Sequence, residues 1–181
     1  MRILFLILSL YICGIAKATT YYVSPTGNDA NPGTITLPFK NIQKLNSVMN
    51  AGDIAFIRGG TYTSTFNSAS AYHLFFNDLI GTSGSRIEIQ NYPGETVIMD
   101  FDAVGVPTTC YTYGVLLQGC RYLTLKGITF KNLRQTQDGC GVSRGMSLTE
   151  SNFCIIENVE IYNMGGTGMV LENSDDNLIL N

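Results

Sequence analysis

Short apolar runs separated by polar or glycine-rich bends make up most of this chain, and helical periodicity occurs once. Each run spans only a few residues and is rich in Tyr, Val, Ile and Phe, which is typical of short β-strands. A dense series of such runs begins near residue 86, and earlier strands are predicted at 21–24, 54–57 and 61–63. The pattern predicts an all-β protein.

One helix is predicted over Phe39–Met49. Within it, Ile42, Leu45 and Val48 recur at helical spacing, and Ala51-Gly52-Asp53 ends the run.

The second half of the chain repeats its own pattern. Residues 114–132 align without a gap, 31 residues later, with residues 145–163. A third copy begins 23 residues further on, at Gly168, and places Ile179 on Ile156, which itself falls on Leu125. The copies share a hydrophobic pattern and little identity, which is the signature of a repeat architecture.

Stacked repeats explain this pattern best. A single layer cannot bury its apolar face, whereas layers spaced by about 4.8 Å place each inward side chain on its counterpart and pair each strand in parallel. We therefore predict a right-handed parallel β-helix, with the helix capping its amino-terminal end, and an asparagine ladder of Asn158 and Asn181 above Gly127. A β-sandwich is the competing fold, but its antiparallel strands need not align copy on copy.

Composition and charge limit the partners. The chain is 45% hydrophobic and 14% charged, which excludes disorder. A formal net charge of −3 leaves no basic surplus to neutralise a phosphate backbone, so nucleic-acid binding is not expected.

The first 18 residues differ from the rest. Arg2 precedes an apolar run, and Ala16-Lys17-Ala18 offers a small-x-small cleavage site, so residues 1–18 are predicted to be a signal peptide removed on secretion. The apolar run is too short to span a bilayer, for which roughly 20 residues are needed, and no membrane span is expected after cleavage. Residues 19–181 would form part of one secreted domain, expected to be monomeric.

Four cysteines remain after such cleavage, in a compartment where disulfides persist. Three pairings are possible, and no C-x-x-C spacing points to zinc or redox chemistry. We expect structural residues that are either buried or disulfide-linked, with Cys154 facing inward; the four are Cys110, Cys120, Cys140 and Cys154.

Several stretches together carry a family resemblance. They are YYVSPTGNDANPGT, PFKNIQKLN, AGDIAFIRGGTY and GTSGSRIEIQNYPGETVIMD. These segments resemble the amino-terminal part of secreted β-helix proteins, most closely the pectate lyases of polysaccharide lyase family 9. The resemblance implies calcium-assisted β-elimination of an acidic polysaccharide such as polygalacturonate. Calcium held by several aspartates would neutralise the substrate carboxylate, and a lysine would remove the adjacent proton.

The resemblance also implies that these groups lie on coils after the one in which this chain ends. We therefore expect a fragment that is inactive alone, with calcium bound in the full-length protein. Asn173-Ser174-Asp175-Asp176 is similar to the family's calcium motif Asn-Ser-Asp-Asp-Gly-x-Asp, but Asn177 and Ile179 stand where glycine and the third aspartate belong. Asp175 and Asp176 are therefore interpreted as part of a solvated turn, and a metal site is the alternative.

No catalytic or cofactor-binding residue is assigned from the sequence. His73, Lys126 and Lys131 are interpreted as structural or surface residues, and Arg58-Gly59-Gly60 as a turn that needs glycine. Two other functions stay open. One is a non-catalytic module for carbohydrate binding or surface attachment, and the other is a glycoside hydrolase, which would need two carboxylates about 5 to 10 Å apart.

Overall fold

The computed structural model describes residues 17–63, 72–102, 111–135 and 142–181. In chain order its elements are β1 (Thr20–Val23), a 3₁₀ helix (Ile42–Ser47), β2 (Ile54–Ile57), β3 (Gly60–Thr63), β4 (Tyr72–Asn77), β5 (Ile87–Asn91), β6 (Val97–Asp100), β7 (Thr112–Gln118), β8 (Leu123–Lys126), β9 (Ile128–Lys131), β10 (Ser143–Thr149), β11 (Ile155–Glu157), β12 (Glu160–Tyr162), β13 (Thr167–Glu172) and β14 (Leu178–Leu180).

The strands form three sheets that the chain visits in turn. Sheet A has the order β1-β2-β5-β8-β11-β14, sheet B the order β3-β6-β9-β12, and sheet C the order β4-β7-β10-β13. Neighbouring strands of each sheet come from successive coils and are parallel. The fold is a right-handed parallel β-helix, as the repeat predicts, and the parallel pairing excludes the β-sandwich.

The predicted columns of apolar side chains are confirmed. Ile156 pairs with Leu125 on one side and with Ile179 on the other. Leu148 likewise lies between Leu117 and Leu171. Leu125 and Leu148 are fully buried, so the interior is a filled core in which each inward residue packs on its counterpart.

Glycine opens each copy of the repeat because two coils approach closely there. A Cβ atom added to Gly114 would lie 2.5 Å from the carbonyl oxygen of Gly145, and one added to Gly145 would lie 2.6 Å from that of Gly168. Neither distance leaves room for a side chain. These three residues form the glycine column of sheet C.

The helix is shorter than predicted and is of the 3₁₀ type. The prediction of a helix over Phe39–Met49 is wrong at both ends. Phe39 forms a parallel bridge with Val23 and is therefore extended, and Val48 leaves the helical conformation. Ile42 and Leu45, which suggested the periodicity, are the residues that the helix buries.

The predicted capping role is confirmed in a specific form. The helix lies beside β4, in the place that a sheet C strand of the first coil would occupy. The Gln43 side-chain amide donates to the carbonyl of Phe75, and its oxygen accepts the Phe75 N–H at 2.7 Å. Asn46 accepts the N–H of Asn77 at 2.8 Å. Side chains thus satisfy the free edge of β4, as an exposed strand edge requires.

A bonded asparagine ladder exists, but at a different corner from the predicted one. Asn158 occupies the bend that corresponds to Gly127 in the next coil, and both residues have positive φ. No amide–amide bond joins Asn158 to Asn181 in the described structure. The bonded ladder is at the end of sheet B, where Asn163 donates to Asn132 at 3.2 Å and Asn132 donates to the Asp100 carboxylate at 3.0 Å. The carboxylate anchors this ladder because it accepts without donating.

Two sequence predictions concern residues that lie wholly or mostly outside the described ranges. The proposed signal peptide lies outside the described residues except for Lys17 and Ala18, and Cys110 and Cys140 lie outside them as well. Within the described ranges, no helix has the length and apolar character needed to cross a membrane.

Candidate functional site

The corner between sheets C and A carries the acidic pair that the sequence singled out. Hydroxyl groups organise this corner coil by coil. The Ser151 hydroxyl accepts the Cys120 N–H at 3.0 Å and donates to the Leu117 carbonyl at 3.2 Å. The Ser174 hydroxyl repeats both bonds one coil later, with Ser151 and Leu148. This serine ladder satisfies backbone groups that the bend would otherwise leave unpaired inside the protein.

Asn177 fixes the acidic turn to the preceding coil. Its oxygen accepts the Cys154 N–H at 2.8 Å, and its amide donates to the Ser151 carbonyl at 2.9 Å. The N–H of Asp175 donates to the Asn152 side chain at 2.7 Å. Asn177 occupies the position at which the family's calcium motif has glycine, and here it serves as a structural tie between coils.

The side chains of Asp175 and Asp176 are exposed at the tip of this turn. Ile179, at the position of the third aspartate, pairs with Ile156 in a sheet A column. Across the described residues, no group of three or more His, Cys, Asp or Glu side chains is placed to hold a metal ion. Calcium needs six to eight oxygen ligands. The described residues alone therefore do not form a calcium site, and Asp175 and Asp176 would supply only part of one.

The two lysines of the repeat strands are engaged in ion pairs. Lys126 lies 2.7 Å from the Glu157 carboxylate of the next coil, and Lys131 lies 3.4 Å from that of Asp100. Partial burial opposes ionisation of Asp100, but hydrogen bonds from the Asp102 N–H, Asn132 and Lys131 hold its pKa below the usual value. Both lysines link neighbouring coils.

His73 lies in β4, away from the acidic turn. Its ring centroid is 4.9 Å from that of Phe101, and burial lowers the pKa of His73 to about 4. The imidazole is consequently neutral at neutral pH and packs against the core.

Arg58 and the two glycines after it form an ion-paired turn. Arg58 donates three hydrogen bonds to Glu95, two from Nε and one from Nη2, and lies 4.7 Å from the centroid of the Tyr92 ring. The Gly59 N–H also donates to Glu95. The hydrogen bonds from Arg58, and to a smaller extent the one from Gly59, hold the pKa of Glu95 below its usual value. Gly60 has φ of 137°, a conformation that favours glycine.

Cys120 and Cys154 are free, fully buried thiols. Cys154 faces inward, as predicted. Burial raises the pKa of Cys120 to about 12 and raises that of Cys154 as well. Thiols held in this protonated state are poor nucleophiles, so the two residues pack like small apolar side chains.

A chain that stacks parallel strands in three sheets around a filled core belongs to the class of parallel β-helix proteins. The family model described as "Pel9A-like, right handed beta helix region" matches residues 21–181. The chain belongs to this family.

Three known proteins illustrate the relationship. Pectate lyase PEL9 of Emericella nidulans is 37% identical over 83 residues, which are 46% of this chain and 18% of that protein. The crystal structure of pectate lyase Pel9A superposes with a TM-score of 0.54 at 18% identity, over 83% of this chain and 41% of that one. The GH136 lacto-N-biosidase of Eubacterium ramulus superposes with a TM-score of 0.58 at 19% identity, over 90% of this chain and 31% of that one.

The chain thus spans less than a fifth of the length of the fungal relative, and the two solved structures share its fold.

Proposed function

We propose that this chain forms the amino-terminal part of an exported polysaccharide lyase that cleaves a pectate-like uronate polymer by calcium-assisted β-elimination. The observation that carries the proposal is the family match over residues 21–181, together with 37% identity to a pectate lyase. The substrate would be an acidic polysaccharide and the compartment extracellular or periplasmic. The full protein is expected to be a monomer.

In this proposal the described coils supply a scaffold, and the reaction centre is completed elsewhere. The acidic turn of Asp175 and Asp176 lies on the last described coil at the corner where the serine ladder fixes the backbone. A calcium ion would neutralise the substrate carboxylate and a base would accept the proton beside it. Both are assigned to residues outside the described set, so the 181-residue chain alone is expected to be inactive.

The test is an assay of the full-length protein with polygalacturonate. Elimination creates a conjugated double bond, so the expected result is a rise in ultraviolet absorbance that requires calcium and disappears with a chelator. Substitution of Asp175 and Asp176 together by Asn shows whether the acidic turn takes part, and Asp78→Asn, at the same corner but three coils earlier, is the control. Turnover by the 181-residue chain alone would show that the reaction centre has been misplaced.

A non-catalytic carbohydrate-binding module is the second candidate function. The described ranges hold no cluster of three metal-ligating side chains under either candidate, so the full-length protein separates the two. Binding of polygalacturonate by the full-length protein without any new ultraviolet absorbance would support this candidate and eliminate the lyase.

A further inference from the structure

Asp53 is a buried carboxylate at the amino-terminal end of the β-helix. It follows the turn of Ala51 and Gly52, directly precedes β2 and is 3% exposed. One carboxylate oxygen accepts the N–H of Thr19 at 2.7 Å, and the other accepts the N–H of Asn50 at 2.8 Å. The side chain therefore joins the start of the described chain to the turn before β2.

The partners of this carboxylate carry no full charge. The ion pairs of the described residues all involve other carboxylates, those of Glu95, Asp100, Asp102, Glu157 and Glu172. A buried carboxylate is costly unless a cation or several donors stabilise it. Asp53 thus has the position and the geometry of one half of an ion pair.

Thr19 is the residue that could supply the other half. Its carbonyl accepts the Ile54 N–H at 3.0 Å, so Thr19 is held beside β2 from both of its backbone groups. Lys17 and Ala18, just before it, are exposed. Thr19 is also the first residue after the predicted cleavage sequence Ala16-Lys17-Ala18.

We propose that peptidase cleavage between Ala18 and Thr19 creates an α-ammonium group that forms an ion pair with Asp53. Water adds across the peptide bond, the C–N bond breaks, and Ala18 leaves as a carboxylate on the released peptide. The Thr19 nitrogen takes up a proton and becomes a cation at the position that already lies 2.7 Å from Asp53. The inference rests on the predicted cleavage and is independent of lyase activity.

This ion pair would make export stabilise the fold. Before cleavage Asp53 accepts a hydrogen bond from a neutral amide. After cleavage the Thr19 nitrogen carries a positive charge, so Coulomb attraction to the carboxylate is added to the hydrogen bond. Because Thr19 adjoins β1, the ion pair fastens the first strand of sheet A onto the turn before β2. The mature exported chain would accordingly be more stable than the same chain with residues still attached to Thr19.

The cleavage site is tested by mass spectrometry of the exported protein. The expected first residue is Thr19. Any other first residue, or an uncleaved chain, would overturn the proposal, because the new ammonium group would then not lie beside Asp53.

The ion pair is tested with two purified chains, one starting at Thr19 and one retaining Ala18. The pKa of the Thr19 amino group, followed by NMR, is expected to be raised by about 1 or more from its ordinary value of about 8. A pKa raised by folding gives stability that is present at lower pH and lost as pH rises. The urea midpoint of the Thr19 chain should therefore fall between pH 7 and pH 10 more than that of the Ala18 chain.

Neighbouring titratable groups do not account for a difference in pH dependence between the Thr19 and Ala18 chains. Tyr21 on β1 and Glu88 on β5, which donates its N–H to the Asp53 carbonyl, are present in both chains. Asp53→Asn should remove the difference between the two chains, and Asp102→Asn, in a solvent-exposed ion pair elsewhere, should preserve it. An ordinary amino-group pKa in the unsubstituted Thr19 chain would refute the ion pair even if Asp53→Asn fails to fold.

Discussion

The first and last described coils differ in whether side chains or backbone cover the free edges of their strands. At the amino-terminal end, Gln43 and Asn46 satisfy the edge of β4, and Phe39 bonds to the edge of β1. At the other end, β13 and β14 each pair with one described strand only. Ile179 is 48% exposed although Ile156, in the same column, is 1% exposed. Burial in this fold therefore depends on the neighbouring coil more than on the residue type.

The comparison implies that stability is a sum of contacts between neighbouring coils, as in other repeat architectures. A substitution should have a large effect where coils lie on both sides and a small effect where one side is solvent.

The largest difference is expected for truncation of column residues. Leu125→Ala should lower the free energy of unfolding by about 2–5 kcal/mol, because it leaves a cavity between Ile89 and Ile156. Ile179→Ala, in the same column but half exposed in the 181-residue chain, should cost that chain less than about 1 kcal/mol. Urea denaturation of the two variants measures both values. Equal losses would contradict the dependence on neighbouring coils.

The glycine column offers a second matched pair. Gly145→Ala would place a Cβ 2.6 Å from the Gly168 carbonyl oxygen and should cost about 1–3 kcal/mol. In the 181-residue chain Gly168→Ala meets no atom within 4 Å and should be close to neutral. Thermal denaturation of the two variants provides the comparison. A neutral Gly145→Ala would show that the coils can move apart at this corner.

A pH effect is expected in the first complete coil. Burial lowers the pKa of His73 to about 4 from 6.5, so the folded state favours the neutral imidazole. Stability from this residue is complete above about pH 6.5 and is lost as pH falls toward 4, by up to about 3 kcal/mol.

His73→Phe, which removes the titrating group and keeps a ring, is the comparison variant. The difference in unfolding free energy between wild type and variant should change over this pH interval and be constant above it. A difference that does not vary with pH would show that His73 stays solvated.

The smallest effect is expected at the cap. Gln43→Ala removes two hydrogen bonds to Phe75 and should cost about 1 kcal/mol. Hydrogen exchange should show faster opening of β4 than of β7, which lies between two strands. Lys44→Ala, on the same helix, is the control and should leave both rates unchanged. Unchanged exchange in the Gln43 variant would mean that other contacts hold the edge.

The sequence was sufficient to predict the columns, because a gapless repeat places equivalent residues at equivalent positions. Leu125, Ile156 and Ile179 were identified in this way. It did not predict how the helix caps β4, since the bond between the Gln43 side chain and the Phe75 backbone leaves no local periodicity. The repeat spacing predicts an asparagine ladder at Asn158 and Asn181, whereas the bonded ladder depends on Asp100 as its anchor.

The candidate site was harder to predict than the fold. Adjacent carboxylates at Asp175 and Asp176 are visible in the sequence, but whether a turn holds a metal depends on groups that converge from other coils. The contact between Thr19 and Asp53 likewise joins residues 34 positions apart, and neither residue type signals the other.

The segments that join sheet B to sheet C differ in length from one coil to the next. Residues 132–142 join β9 to β10, whereas residues 163–166 join β12 to β13, yet the register of both strand pairs is preserved. Evolution can therefore lengthen or exchange the segment between sheets B and C without disturbing the core. The same corner is the natural place for protein engineers to graft a foreign peptide onto this scaffold.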